Sequence, residues 1–202
     1  VGRMVEYKNL PPTLLRDGLF CVWKYEDREG KPTKIPYNPR TGGRAQSTNP
    51  ATIASLETTL KAVERGRYDG LGVGILGAID IDHCIDENGE LSPLAFDVMD
   101  MVQGYTEYSP SGHGLRILLK ASGFHYDKDR YYIKNPNFGI EVYIAGCTKR
   151  FVTVTGNALT PGFEMEERGE QLAAVLEKYM VRPKTKKTTP PPDPSGPVEM
   201  DD

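Results

Sequence analysis

The sequence predicts an α+β fold, with α/β as the neighbouring class. Three observations carry that reading. Strand and helix signals interleave along the chain. Apolar residues make up 38% of 202, enough for a packed core, and no internal repeat divides them. Two of the helix signals open on a polar cap followed by proline, whereas the strand signals are short, β-branched or aliphatic, and bounded by turn residues.

In chain order, residues 19–25 are apolar and aromatic and read as a strand. Residues 28–44 read as a basic loop, punctuated by Gly30, Pro32, Pro36, Pro39, Gly42 and Gly43. Asn49-Pro50 sets a cap before a proline. Ile53, Leu56, Leu60 and Val63 then fall on one helical face, which Gly66 closes. Ala78-Ile79-Asp80-Ile81-Asp82 alternates apolar and acidic, the period of a strand. Ser92-Pro93 opens a second helix with Leu94, Val98 and Met101 as its stripe and Gly104 as its stop. Residues 115–119, 139–144 and 150–155 read as strands, and 164–180 as the last helix. Residues 184–202 hold five prolines and almost no large apolar side chain, which cannot offset the entropy of ordering. The expected organisation is one folded domain over 1–181 and a Pro-rich disordered linker over 182–202.

Composition narrows the function classes. The longest nearly uncharged stretch, residues 70–79, is half a bilayer span, so a membrane role is not expected. Three cysteines without CxxC spacing suit free thiols in a reducing, cytoplasmic setting better than a disulfide framework. A net charge of −3 argues against a generic basic coat for nucleic acid. The charge is nonetheless segregated. Residues 68–115 contain nine acids and no Lys or Arg, whereas 24–44 carry six bases against three acids and 116–150 seven against three. An acidic centre between basic segments fits a cation-loaded site facing a polyanion; solvated faces of mixed charge are the plainer reading.

Asp80-Ile81-Asp82 is the strongest local signal. Residues i and i+2 of a strand share a face, so two carboxylates can converge on a divalent cation; the alternative is an edge strand with its acids in water. By that spacing the two like charges repel, so Asp80→Ala is expected to leave folding intact and even to raise the melting temperature without metal. Ser111-Gly112-His113-Gly114, ahead of Arg116, can form an anion-binding nest or an ordinary loop. Glu141 alternates with aliphatics and is either solvent-facing or a third ligand. Gly72-Val73-Gly74-Ile75-Leu76-Gly77 matches GxGxxG, but strand periodicity follows it, so no helix start is available for a pyrophosphate. Cys84 beside His83 lacks a second ligand pair for zinc.

Taken together, Asp80-Ile81-Asp82-His83-Cys84, the run from Ser109 through Arg116, Ile140-Glu141-Val142-Tyr143 and Arg150-Phe151-Val152-Thr153-Val154-Thr155-Gly156 resemble the archaeo-eukaryotic primase superfamily, in particular the primase-polymerase domains of phages and plasmids. The upstream stretch from Lys31 to Pro39, containing Lys34, also looks like that group. The resemblance implies an α/β unit packed with an RRM-like unit and the active site between them. It implies a nucleotidyltransferase making primers or extending DNA. Asp80, Asp82 and Glu141 would be its catalytic and metal residues, with Mg2+ or Mn2+ as cofactor. Ser111, Gly112, His113, Gly114, Arg116, Lys34 and Arg150 would bind nucleotide. Single-stranded DNA template and nucleoside triphosphates would be partners, with a helicase-like module C-terminal to the linker. The family's motif usually ends in histidine where this chain has Arg116, so either Arg116 or His113 contacts the triphosphate. The alternative functions are a metal-dependent nuclease and a non-catalytic module that binds single-stranded nucleic acid.

Overall fold

The computed structural model describes residues 6–74 and 77–184. The expected linker lies almost wholly outside the described residues. Two sheets form the frame. In the first, β1 (Phe20–Arg28) pairs on one edge with β2 (Lys31–Tyr37) and on the other with β3 (Gly70–Val73), which pairs in turn with β9 (Val152–Val154). In the second, β4 (Gly77–Ile81) is central. β6 (Leu115–Leu119) and then β5 (Tyr105–Tyr108) lie on one side, and β8 (Ile140–Tyr143) and then β7 (Lys134–Asn135) on the other. Every strand pair in both sheets is antiparallel. The class is therefore α+β, and the α/β unit implied by the resemblance is not a parallel-stranded one.

Strand β2 corrects the loop expected over residues 28–44. Its prolines are tolerated because β2 is an edge strand. The Pro36 carbonyl points away from β1 and accepts from the Ala45 amide at 3.1 Å, so the face without an amide donor lies outside the β1–β2 ladder. The helix expected from Asn49 is likewise split. Asn49 caps a short 3₁₀ turn at Pro50–Thr52, and Ser55 caps α2 (Leu56–Arg65) separately. Between them Ala54 pairs with Phe20, and Ile53 is fully buried there instead of joining the α2 face. A further short helix, α1 (Pro12–Asp17), lies in a stretch with no sequence assignment.

Ser92 caps α3 (Pro93–Val102) as expected, but Gln103 rather than Gly104 takes the left-handed closing position, at φ 50°. The buried stripe is Ala95, Val98 and Val102, with Leu94 and Met101 at its margins. The last helix, α4 (Gly169–Tyr179), starts five residues later than expected. The preceding segment is held extended, because Lys120 exchanges backbone hydrogen bonds with Glu166 and Arg168. Helices α3 and α4 cover one face of the five-stranded sheet, against Ile79, Ile81, Leu115, Ile117, Ile140 and Val142. The opposite face packs Ala78, Tyr105, Leu118 and Tyr143 against Phe20, Leu71, Val73, Val152 and Val154 of the first sheet. Ile79 and Ile81 are fully buried, each stabilising by about 1.5–3 kcal/mol. A one-residue slip of β4 would exchange them with Asp80, so its register is strongly fixed. Among the described residues no helix is long and apolar enough to cross a membrane.

Candidate active site

That register builds the site. Glu107, Arg116, Asp80, Glu141 and Lys134 stand opposite one another on consecutive strands β5, β6, β4, β8 and β7. Residues in register share a face, so a charged row crosses the whole sheet on the side facing the first sheet. The neighbouring row on that face is Tyr105, Leu118, Ala78 and Tyr143, all buried. Core gives way to charge within one pleat repeat.

Arg116 Nη2 lies 3.0 Å from Asp80 Oδ2, and the two side chains are only 5% and 11% exposed. Arg116 also donates from Nη1 to the carbonyl and the hydroxyl of Thr153 on β9, tying the two sheets together. Burial opposes the guanidinium charge, yet Asp80, Tyr143 and Glu107 outweigh it and hold its pKa above the ordinary arginine value. Asp80 Oδ1 and Arg116 Nε are buried without a hydrogen-bond partner. Glu141 accepts from Arg150 at 2.5 Å and lies 3.9 Å from the Lys134 ammonium. Both partners are mostly in solvent, with side chains 67% and 62% exposed.

These groups line a cavity of about 700 Å³ to which both sheets contribute. Trp23, Tyr25 and Lys34 come from the β1–β2 hairpin, and Lys149 and Arg150 from the segment before β9. The Lys34 ammonium is held below the ordinary lysine range by partial burial first and by Arg116 second, against the opposite pull of Asp80 and Asp82. Burial, supported by Glu141 and Asp80 and opposed by Arg116, pushes the Tyr143 hydroxyl up to about 12.

Six of the residues singled out from sequence meet here: Lys34, Asp80, Asp82, Arg116, Glu141 and Arg150. Asp82 lies just past β4, exposed, with its amide donating to Gly139 at 2.8 Å. Strand geometry therefore ends before Asp82, and His83 follows in the left-handed region at φ 51°. Ser111, Gly112, His113 and Gly114 form the β5–β6 turn, outside the cavity lining. Three of the turn's amides are already engaged. Gly112 donates to the Ser109 carbonyl, His113 to the Ser111 hydroxyl and Gly114 to the Ser109 hydroxyl. Gly114 answers a packing demand instead, since a Cβ there would stand 2.7 Å from the Ile81 carbonyl and 3.6 Å from Asp82 Cα. The motif glycine thus sits against the end of β4 that leads into Asp82. Arg116 faces the cavity rather than open solvent, whereas the His113 side chain is exposed.

Among the described residues, no three His, Cys, Asp or Glu side chains are gathered so as to hold a metal ion. Guanidinium groups engage two of the three expected ligands: Arg116 holds Asp80 and Arg150 holds Glu141. The residues nonetheless fit a hard divalent cation. All three donors are carboxylates, the ligand type that suits Mg2+ and Mn2+, and Asp80 keeps one buried oxygen unpartnered. Cys84 is buried, and its thiol donates to the Ile81 carbonyl at 3.4 Å.

Sequence reasoning missed Glu107 as part of the site. It is fully buried and accepts from the Tyr105 hydroxyl at 2.8 Å and from the Thr155 and Gly156 amides at 2.9 Å each. Burial raises its pKa, against those donors and Arg116. It also missed Trp23, Tyr25 and Lys149, although the strand carrying Trp23 and Tyr25 was legible. Alternation along that strand was the available signal.

No family model matches the chain. A curated relative, the DNA primase-polymerase of Nitratiruptor phage NrS-1, is 28% identical over 177 residues, which is 85% of this chain and 24% of the relative. The chain thus spans about a quarter of the length of the protein it is similar to.

Proposed function

We propose that this chain is the nucleotidyltransfer domain of a primase-polymerase from a phage or other mobile element, joining nucleoside triphosphates on a single-stranded DNA template. The observation that carries the reading is the opposition, within one cavity, of Asp80, Asp82 and Glu141 to Lys34, Arg116, Lys149 and Arg150. A triphosphate is a polyanion whose transfer is catalysed almost wholly by positioning and charge stabilisation. The similarity to a phage protein named DNA primase-polymerase supports the same reading.

Asp80, Asp82 and Glu141 would hold Mg2+ or Mn2+, which supplies charge stabilisation at the reacting phosphate and the leaving pyrophosphate. Asp80 offers its unpartnered Oδ1 from a carboxylate already oriented by Arg116. Glu141 is held by exposed side chains that can be displaced, and Arg150, once released, is free to turn to phosphate oxygens. Arg116 is fixed on Asp80 and Thr153, so it acts as a preorganised positive charge in the cavity. The succession β4, α3, β5, β6 with β4 central between β6 and β8 supports assigning the second sheet as the RRM-like unit of the archaeo-eukaryotic primase superfamily. A helicase-like module in the longer protein belongs to the same proposal.

The test incubates the chain with single-stranded DNA, labelled nucleotides and Mg2+ or Mn2+, with and without a primer. Template-dependent products are expected from the wild type and none from Asp82→Asn. Asp82 is exposed, so that variant is expected to melt within about 1–2 °C of the wild type, the effect of a surface change within about 0.5 kcal/mol. Synthesis at the wild-type rate by Asp82→Asn would remove the metal assignment. Shortened DNA without incorporation would favour the nuclease reading, and nucleotide-independent DNA binding alone the non-catalytic one.

A further inference from the structure

The cavity face of the β1–β2 hairpin has a second chemistry that the carboxylates and cations do not use. Antiparallel register sets Tyr25 opposite Lys34 and Trp23 opposite Pro36, all on that face. Trp23 is 5% exposed and donates from Nε1 to the Leu71 carbonyl at 3.0 Å, which fixes its ring. Tyr25 stands edge-on to it, with ring centroids 5.2 Å apart at 83°. The Tyr25 amide donates to Asp69 at 2.8 Å, so its backbone is pinned from outside the ladder as well. Yet the residue is 48% exposed. It is a rigidly mounted aromatic ring left half open inside a charged cavity. Beside it, the Lys34 ammonium lies 5.3 Å from the Trp23 ring centroid and within the fields of Asp80, Asp82 and Arg116.

We infer that Tyr25 is a nucleobase-stacking platform, with Trp23 as its support and Lys34 as the cation that meets the phosphate of the same nucleotide. The inference rests on the proposed function and adds the part of the ligand that the charged row cannot recognise. A π-face accepts any base, so this subsite confers affinity without sequence preference, as a template-directed enzyme requires. The base belongs either to the incoming nucleotide or to the template strand; the chemistry is shared, and the test separates them.

Trp23 is the only tryptophan in the sequence, so its fluorescence reports directly on this face. Wild type, Tyr25→Ala and Tyr25→Phe are titrated with dATP, with inorganic tripolyphosphate, and with oligo-dT with and without abasic positions, with calorimetry in parallel. Loss of a stacked base is expected to weaken binding of Tyr25→Ala by about 5- to 150-fold, with Tyr25→Phe close to wild type. That loss falls on dATP if the base is the incoming one, and on oligo-dT, more than on its abasic counterpart, if it is the template's. Tripolyphosphate affinity is expected to stay unchanged. Wild-type affinity of Tyr25→Ala for both base-bearing ligands overturns the platform, as does an equal loss for tripolyphosphate; both leave the proposed function standing. Failure of the wild type to bind either dATP or oligo-dT overturns the functional reading and the platform with it.

Discussion

Asp80→Ala is expected to lower the stability of the chain by about 3–5 kcal/mol, because it leaves the guanidinium of Arg116 buried without its counter-charge. For a domain of this size that corresponds to a fall in melting temperature of about 6–20 °C. The like-charge spacing of Asp80 and Asp82 predicts the opposite sign, and the structure corrects it. Asp82 is exposed and water screens it, whereas Arg116 is buried and lies 3.0 Å from Asp80. Arg116→Ala is expected to cost a similar amount, since it strands Asp80 and removes the ties to Thr153. Weaker nucleotide binding in that variant is therefore no clean readout of a phosphate contact. The double variant Asp80→Asn/Arg116→Met is expected to be more stable than either alanine variant, because neither member of the Asp80–Arg116 pair is left charged without the other. Urea unfolding of the three proteins measures this. A double variant no more stable than the alanine variants would mean that the pair is not the interaction that matters.

Glu107→Ala is expected to cost about 3 kcal/mol or more, because it orphans three donors, two buried and one half-buried, at about 1–3 kcal/mol each. Those donors come from both sheets' strand ends, Tyr105 on β5 and the Thr155-Gly156 segment just past β9, so Glu107 and Arg116 clasp the same region from adjacent strands. Glu107→Gln keeps the shape but turns one acceptor into a donor facing a donor, so it too is destabilising. The pH dependence has a definite sign. Burial raises the folded pKa above the unfolded one. Between those values the folded state holds more protons than the unfolded one, so stability contributed by Glu107 falls as pH rises from about 4.3, the unfolded value, towards the folded pKa. Unfolding free energies of wild type and Glu107→Gln, measured in pH steps across that window, are expected to show the wild type losing stability relative to the non-titrating variant as pH rises. Parallel curves would show that Glu107 titrates alike in both states.

Much of this was legible because the second sheet writes its pattern locally. β4, β6 and β8 are short and mostly apolar, and the acids on β4 and β8 fall out of phase with the isoleucines and valines. What was not legible depends on partners far away in sequence. Pro32 and Pro36 read as loop residues because nothing in the chain says that β2 is an edge. Tyr105-Thr106-Glu107-Tyr108 is too polar to read as a strand, yet it is buried beside β6, with Glu107 satisfied by residues nearly fifty positions on. Ser109 and Ser111 fill the glycine turn that looked like an anion nest. Arg116 was identified as a site cation, but its pairing with Asp80 arises from a register across 36 residues. Motifs name the charged residues; the ladder decides which of them neutralise one another.

The carboxylates and the cations of the cavity are proposed to act on one ligand, a nucleotide carrying divalent metal. Calorimetric titration of dATP into the chain with Mn2+ and with EDTA, for wild type and Asp82→Asn, tests it most directly. The predicted result is tighter dATP binding with Mn2+ in the wild type, and loss of that enhancement in Asp82→Asn while its metal-free binding is retained. An Mn2+ enhancement of equal size in both proteins, or none in the wild type, would contradict it.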